Sequence, residues 1–167
     1  TIQPGETLVV ESEDALSGQL KTGDDRRDKS TVPKSNPVAG PILVEGAEPG
    51  DALAVTIDEI RSRDGQAATY TGHPGRLAEW LGSEEPSLAR ICPIRDGQVY
   101  WNEQTPIPFA PMLGCLGTAP EWGVASTQPA GAHGGNMDLV EVCPGAVISL
   151  PVFCPGGYLY LGDAHAA

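Results

Sequence analysis

Short apolar runs that follow proline-glycine turns are the main pattern along this chain. Each Pro-Gly pair suits a type II turn, because proline fixes φ at the second turn position and glycine accepts a positive φ at the third. The residues after each turn are β-branched or alternate between apolar and polar, which is typical of strands. The pattern therefore predicts strands at residues 7–10, 52–57, 146–150 and 158–161.

Other elements are predicted between these turns. Residues 38–60 indicate two strands joined by the Pro49-Gly50 turn. Residues 91–101 indicate a hairpin about Asp96-Gly97, a common pair in hairpin turns. A weak helical signal lies within residues 75–90, where a glycine and a proline interrupt it.

Two further stretches carry no strand pattern. Residues 14–34 are polar and charged without core periodicity, which indicates a solvated loop. Residues 105–120 are proline-rich and apolar, and we expect them to line a core or a pocket rim without regular structure. The strand spacing is irregular, so a solenoid repeat is excluded. The chain as a whole predicts an all-β fold, a β-sandwich with many short strands, Pro/Gly turns and little helix.

The length supports one hydrophobic core. A chain of 167 residues buries one core well, whereas two domains would be crowded. No linker or shift of composition marks a boundary. We therefore predict a single β-rich domain over residues 1–167.

The charge excludes several partners. The chain has 22 acidic and 10 basic residues, a net charge of −12 that repels phosphate backbones and anionic membranes. The longest apolar stretch, residues 139–154, is interrupted by Glu141, Pro144 and Pro151, so no membrane span is predicted. Neither nucleic acid nor a membrane is an expected partner.

The cysteines favour a reducing environment. Cys92, Cys115, Cys143 and Cys154 are widely spaced and form no C-x-x-C motif, so a cysteine zinc site is not supported. We expect buried, reduced thiols, as in a cytoplasmic protein. Cys115 is also conceivable as a nucleophile, but its apolar neighbours favour packing.

Two short segments concentrate the polar chemistry. The glycine-rich residues 131–138 hold His133, Asn136 and Asp138, and residues 162–165 hold Asp163 and His165. Residues two apart on an extended strand face the same side, so each Asp is placed beside a potential partner. Imidazole and carboxylate groups are common ligands of Zn²⁺ and similar ions. We therefore predict one shared metal site, with ligands His133, Asp138, Asp163 and His165.

These segments resemble the signature of the acetamidase/formamidase family. The order and spacing of the similar segments agree over most of the 167 residues. The resemblance implies hydrolysis of small linear amides such as formamide and acetamide, with release of ammonia and a carboxylate. The similar segments are residues 38–41, 45–51, 111–114, 119–121, 133–138, 150–152 and 161–166.

The resemblance also implies roles for individual residues. Amide hydrolysis needs an activated water and stabilisation of the oxyanion, both of which a bound metal supplies. Asn136 would then bind the substrate amide or the oxyanion. The acid/base carboxylate is left open between Asp14, if the polar loop reaches the site, and a glutamate in the Gly-Asp-Gly-Glu segment that follows in the family. An additional structural Ca²⁺ ion is also compatible with the acidic composition of this site.

That segment lies beyond Ala167, so we expect a continuation of the chain or a second polypeptide to supply it. We expect this piece to pair with an open sheet edge at residues 156–165. We also expect a homo-oligomer. The competing function is a β-sandwich binding module stabilised by Ca²⁺, which the two histidines disfavour because Ca²⁺ takes oxygen ligands.

Overall fold

The computed structural model of the chain describes residues 1–71, 79–80, 82 and 88–167. Strands dominate these ranges, which confirms the all-β prediction. The helical signal predicted within residues 75–90 falls largely outside them. No helix within the described ranges is long and apolar enough to cross a membrane. The strands in chain order are β1 Val38–Ile42, β2 Ala52–Thr56, β3 Gln66–Thr71, β4 Leu88–Arg95, β5 Gln98–Asn102, β6 Thr105–Pro108, β7 Met112–Gly117, β8 Ala130–Gly131, β9 Gly134–Asn136, β10 Val147–Pro151 and β11 Leu159–His165.

The chain divides into two compact units, and each is built from separate segments. The first unit contains Thr1–Ser17, Lys34–Arg61 and Ala110–His165. The second contains Gly18–Pro33, Ser62–Phe109 and Ala166–Ala167. Because the chain enters both units more than once, no single linker separates them, and the sequence shows no boundary.

The first unit is a sandwich of two antiparallel sheets. Its larger sheet has five strands in the order β1-β11-β7-β9-β8, and its smaller sheet pairs β10 with β2. The core lies between them and takes Leu113 and Leu116 from β7, Leu159 from β11 and Leu150 from β10. Leu53 and Val55 of β2 pack against this core from the smaller sheet.

Strand β7 corrects the prediction for residues 105–120. All six residues of β7 are buried, as the expected core position requires, but they form a regular strand between β11 and β9. Residues Thr105–Pro108 also form a strand, β6, in the second unit. The prolines of this stretch lie outside β7, so they flank the strand without interrupting its hydrogen bonds.

Three of the four strands predicted after Pro-Gly turns are present, as β2, β10 and β11. The glycine of each of these turns has a positive φ, as a type II turn requires. The fourth prediction, residues 7–10, is wrong: the segment is not a strand, and Val9 is 94% exposed. Alternating residues alone do not make a strand when no neighbour offers hydrogen bonds.

The second unit is a four-stranded antiparallel sheet in the order β3-β4-β5-β6. The predicted hairpin about Asp96-Gly97 is confirmed and joins β4 to β5. Both turn residues have positive φ, 52° and 70°, as in a type I′ turn.

The position of β11 corrects the expected open edge. β11 pairs with β1 on one side and with β7 on the other, so it is an interior strand. The partner β1 lies far away in the sequence, and a local pattern cannot reveal such a partner. The strand is therefore not available for pairing with a further polypeptide.

Candidate metal centre

Three neighbouring strands bring the polar segments together. In the pairing of β11 with β7, Gly162 is opposite Cys115 and Ala164 is opposite Leu113, which places Asp163 beside Gly114. In the pairing of β7 with β9, Cys115 is opposite Asn136. Asp138 follows β9, and its backbone N–H donates to the Gly114 carbonyl oxygen at 3.2 Å. β7 therefore lies between the two polar segments predicted from the sequence, residues 131–138 and 162–165.

Asp138, Asp163 and His165 form a compact group. One potential ligand atom from each lies within 4.8 Å of the other two. The Nε2 atom of His165 is 3.6 Å from Oδ1 of Asp163 and 3.7 Å from Oδ1 of Asp138. The structure therefore brings together three of the four residues predicted as metal ligands.

Gly114 makes room for this group. A Cβ atom at residue 114 would lie 2.7 Å from Oδ1 of Asp138 and 2.7 Å from Oδ2 of Asp163. Such distances are far below ordinary contact, so any side chain here would displace both carboxylates. The sequence interpretation gave this glycine no role, although it ends the family-like segment at residues 111–114.

The backbone at the site is held in an uncommon conformation. Asp138 and Asp163 have φ of 48° and 54°, and Asn36, which contacts the site, has φ of 59°. Asp and Asn are the non-glycine residues that best tolerate the left-handed region. Asp163 adopts this conformation within β11, where its carboxylate lies close to His165.

A hydrogen-bond network surrounds Asn136. Its Oδ1 atom accepts from Nδ2 of Asn36 at 3.1 Å and from the Cys115 thiol at 3.0 Å. Its own Nδ2 donates to Oδ2 of Asp138 at 3.3 Å. Asn136 therefore contacts one of the three clustered residues directly. Asn36 was not identified from the sequence, and Cys115 was considered there only as a nucleophile and not as a hydrogen-bond donor to Asn136.

Burial and charge shift the acidity of two site groups. Asp163 is only 3% exposed. Its interaction with the imidazole raises the pKa of His165 above the ordinary value, and the charge of Asp138 adds to this effect while burial opposes it. Burial raises the pKa of the Cys115 thiol to about 12, with further contributions from the charges of Asp163 and Asp138. Cys115 is thus a protonated donor at neutral pH, and the thiol-nucleophile alternative has no support in this environment.

His133 lies outside the compact group. It occupies the turn between β8 and β9, is 8% exposed, and packs against two glycines. A Cβ at Gly131 would lie 3.0 Å from its ring atoms Cε1 and Nδ1. Its Nε2 is buried, and no hydrogen-bond partner for it occurs among the described residues. A role of His133 as a ligand stays a prediction.

Asp14 lies in an exposed turn that is connected to the site. Its Oδ1 accepts from the backbone N–H of Leu16 at 2.7 Å. The next residue, Ala15, accepts from the backbone N–H of Asn36 at 2.8 Å. Asn36 in turn donates to Asn136. The turn is therefore joined to the site through one residue.

The donor set suits a divalent metal ion. Carboxylate oxygen and imidazole nitrogen are both ligands of Zn²⁺, and three protein ligands with a further position left to water or substrate is the number found in catalytic zinc sites. The cleared space above Gly114 and the nearly complete burial of Asp163 indicate a prepared site. Fold and site together define an all-β sandwich protein with a candidate metal centre.

Comparison with known proteins assigns the chain to a family. A sequence profile of the Acetamidase/Formamidase family matches residues 1–125 and 122–167. The crystal structure of an acetamidase from Bacillus halodurans has a TM-score of 0.89 and 32% identity, over 99% of this chain and 55% of that one. A predicted acetamidase/formamidase from Thermoanaerobacter tengcongensis has a TM-score of 0.83 and 37% identity, over 93% of this chain and 50% of that one. The chain belongs to the acetamidase/formamidase family.

Curated relatives are more distant. A putative formamidase of Schizosaccharomyces pombe is 25% identical over 222 residues, covering 99% of this chain and 54% of the relative. An acetamidase of Mycolicibacterium smegmatis is 26% identical over 230 residues, covering 99% and 56%. The chain thus spans about half the length of the relatives it matches.

Proposed function

We propose that the protein is a metal-dependent hydrolase of small linear amides such as formamide and acetamide, which releases ammonia and a carboxylate. The observation that carries this proposal is the convergence of Asp138, Asp163 and His165 above Gly114 in a member of this family. Relatives named acetamidase and formamidase support the substrate class.

Asp138, Asp163 and His165 would hold the ion, with Zn²⁺ as the best match for a mixed oxygen and nitrogen set. A bound divalent ion polarises a carbonyl group and lowers the pKa of water toward about 7. Asp163 supplies its charge from a buried position, where solvent screens it little. His133 would be a further ligand, since its buried Nε2 has no hydrogen-bond partner among the described residues.

Asn136 would bind the substrate oxygen. Its Oδ1 already accepts two donors, so the Nδ2 group is the end directed toward the cluster. One N–H donates to Asp138, and the amide has a second N–H that can donate to a carbonyl oxygen or to the developing oxyanion. In this assignment the Asn136 side chain acts on the substrate only as a hydrogen-bond donor.

Proton transfer to the departing ammonia is assigned to Asp14 or to a carboxylate outside these 167 residues. Asp14 is exposed, and its turn is anchored to Asn36. A carboxylate at this position can give up or take a proton without disturbing the buried charges. The net charge of −12 leaves a neutral amide unaffected and favours departure of a carboxylate product.

The working enzyme is proposed to include further polypeptide, as a continuation or a second chain, because the relatives are about twice as long. Homo-oligomeric assembly and a cytoplasmic location are further proposals. The alternative function is a Ca²⁺-stabilised binding module. The His165 imidazole between two carboxylates disfavours it, since nitrogen is a poor ligand for Ca²⁺.

The test measures ammonia release from formamide and acetamide by the intact protein. Chelation should abolish release, and Zn²⁺ should restore it. His165→Ala and Asp138→Asn should each lower kcat by more than about 100-fold. Loss of a residue that only orients a metal ligand costs up to about 100-fold, and loss of the ligand itself should cost more. Asp96→Asn is the matched control, because Asp96 also has a positive φ but lies in the second unit.

Two results would contradict the proposal. Full activity after complete removal of metal would exclude metal dependence. Binding of Ca²⁺ alone, with no hydrolysis of either amide, would favour the binding module.

A further inference from the structure

The side-chain oxygen of Asn136 accepts two hydrogen bonds, one from Asn36 and one from Cys115. Nδ2 of Asn36 lies 3.1 Å from this oxygen and the Cys115 sulfur lies 3.0 Å from it. An amide oxygen has two lone pairs, so this pair of donors satisfies it completely. Cys115 is fully buried, and Asn36 is partly buried, so these contacts are shielded from water.

The opposite orientation of the Asn136 amide is disfavoured on both sides. Rotation by 180° would place its NH₂ group against the NH₂ of Asn36, so donors would face donors, and it would take from the Cys115 thiol its nearest acceptor. The same rotation would place the amide oxygen against Oδ2 of Asp138, which now receives a hydrogen bond at 3.3 Å. The contact with Asp138 is exposed, so the burial cost falls on the partly buried side, where an unpaired polar group costs about 1–3 kcal/mol.

The network acts on one side of the Asp138 carboxylate. Its Oδ2 accepts from Nδ2 of Asn136, and its Oδ1 lies 3.7 Å from Nε2 of His165. The Cys115 sulfur also lies 3.8 Å from Oδ2 of Asp163, but its single S–H is donated to Asn136, which is nearer. Asp138 therefore has one oxygen held by the network and one turned toward the imidazole.

We propose that Asn36 and Cys115 are positioning residues, which fix the Asn136 amide and thereby turn the Oδ1 atom of Asp138 toward His165. The expected consequence is tighter binding of the ion, and this part of the inference rests on the proposed metal site. Outer partners that orient metal ligands contribute about 10–100-fold to affinity.

The variants separate the donor from the space that it fills. Asn36→Gly removes the donor and accepts φ of 59° without strain, and Asn36→Asp keeps the shape but replaces the donor by an acceptor. Cys115→Ala removes the thiol donor, and Cys115→Ser keeps a donor in nearly the same place. The controls are Asn102→Gly, at the exposed end of β5, and Cys92→Ala, a buried cysteine of the second unit.

The first measurement is Zn²⁺ binding to the intact protein by titration calorimetry. Asn36→Gly, Asn36→Asp and Cys115→Ala should bind at least about 10-fold more weakly, with Asn36→Asp the weakest. Cys115→Ser should stay within about 3-fold of the wild type, because the hydroxyl replaces the donor. The two controls should bind as the wild type does. Thermal unfolding of each variant shows that the loss does not arise from unfolding.

The second measurement needs no metal. The side-chain ¹⁵N and ¹H resonances of Asn136 in the metal-free protein should be well separated, and protected from exchange with solvent. They should shift in Asn36→Gly and Cys115→Ala and return in Cys115→Ser. Failure of the wild type to bind Zn²⁺ with these signatures intact would defeat the metal site alone. Wild-type resonances in Asn36→Gly and Cys115→Ala, or a Cys115→Ser variant that resembles Cys115→Ala, would overturn the positioning role.

Discussion

At the scale of single residues, the site is defined by backbone conformation as much as by side chains. Within the described part of the chain, six non-glycine residues have positive φ, and Asn36, Asp138 and Asp163 of the site are three of them. Such conformations cost about 1–3 kcal/mol each and persist where the surrounding structure fixes them. Their concentration around one cluster is expected of a functional site. The sequence shows which residue types tolerate this region but not which of them adopt it.

Gly114→Ala is expected to weaken ion binding at the proposed site without removing any of the proposed ligands. Its Cβ would lie 2.7 Å from a carboxylate oxygen of both Asp138 and Asp163, so both must move. We expect Zn²⁺ affinity to fall by at least about 10-fold, with a loss of stability of about 1–3 kcal/mol from overpacking. Calorimetric titration and chemical unfolding measure the two effects.

Gly23→Ala is the control for this change. A Cβ at Gly23 meets only the Ala89 carbonyl oxygen, at 3.9 Å, and Gly23 is not in the left-handed region. It should bind Zn²⁺ as the wild type does. Equal affinities for the Gly114→Ala variant and the wild type would show that the carboxylates are not confined as described.

The pH dependence at His165 follows from its raised pKa. The Asp163 carboxylate favours the imidazolium form, so in the metal-free protein the pKa of His165 lies above the ordinary value. The stabilising contribution of this pair is fully present below the unfolded pKa of about 6.5 and is lost as pH rises through the folded pKa. Metal affinity should change in the opposite direction, because a ligand imidazole must be neutral.

An NMR titration of the metal-free protein gives the pKa of His165 directly. In Asp163→Asn this pKa should move down, because the largest cause of the shift is removed. The substitution keeps a residue that tolerates the left-handed φ of 54°. A wild-type value at or below the ordinary one would contradict the pairing.

At the scale of the elements, the local signals succeeded where one turn determines the next strand. The Asp96-Gly97 hairpin and the strands after Gly50, Gly145 and Gly156 are of this kind. The local signals failed where a strand depends on its partner. Residues 7–10 have the alternating pattern but pair with none of the described strands, and β7 was not predicted because prolines precede and follow it. The cluster of Asp138 with Asp163 and His165 was predictable from spacing, whereas Asn36, Gly114 and Cys115 were not. Their importance comes from strand register, which no local pattern encodes.

Gly134→Ala is expected to disrupt the pairing of β9 with β7. Gly134 has φ of 91°, and an added Cβ would overlap the carbonyl oxygen of Leu116. Because the obstacle is backbone in the middle of a sheet, it cannot move aside, and we expect a loss of at least about 2 kcal/mol. Chemical denaturation measures it.

Gly123→Ala separates strain from overlap. Gly123 has φ of 66°, but an added Cβ meets no atom within 4 Å. This variant should lose only about 1–2 kcal/mol, the cost of the left-handed conformation for an L-residue. Similar losses in the two variants would show that the close approach of β9 to β7 is not rigid.

At the scale of the whole molecule, the sequence pattern was sufficient for the fold class. The many Pro-Gly turns and short apolar runs correctly predicted an all-β sandwich. The single domain stays a prediction, and the structure adds that the chain forms two compact units whose segments alternate along the sequence. Hydrophobic patterning reports which residues are buried, but it does not report against which segment they pack.

The interior position of β11 has a consequence for how the site is made. Val38 of β1 is paired with Gly162 of β11, 124 residues further along the chain. The strand that carries Asp163 and His165 therefore reaches its final neighbours only after a large loop has closed, and such loops make folding slow. The cluster proposed to hold an ion is therefore complete only after β11 has joined the sheet beside β7.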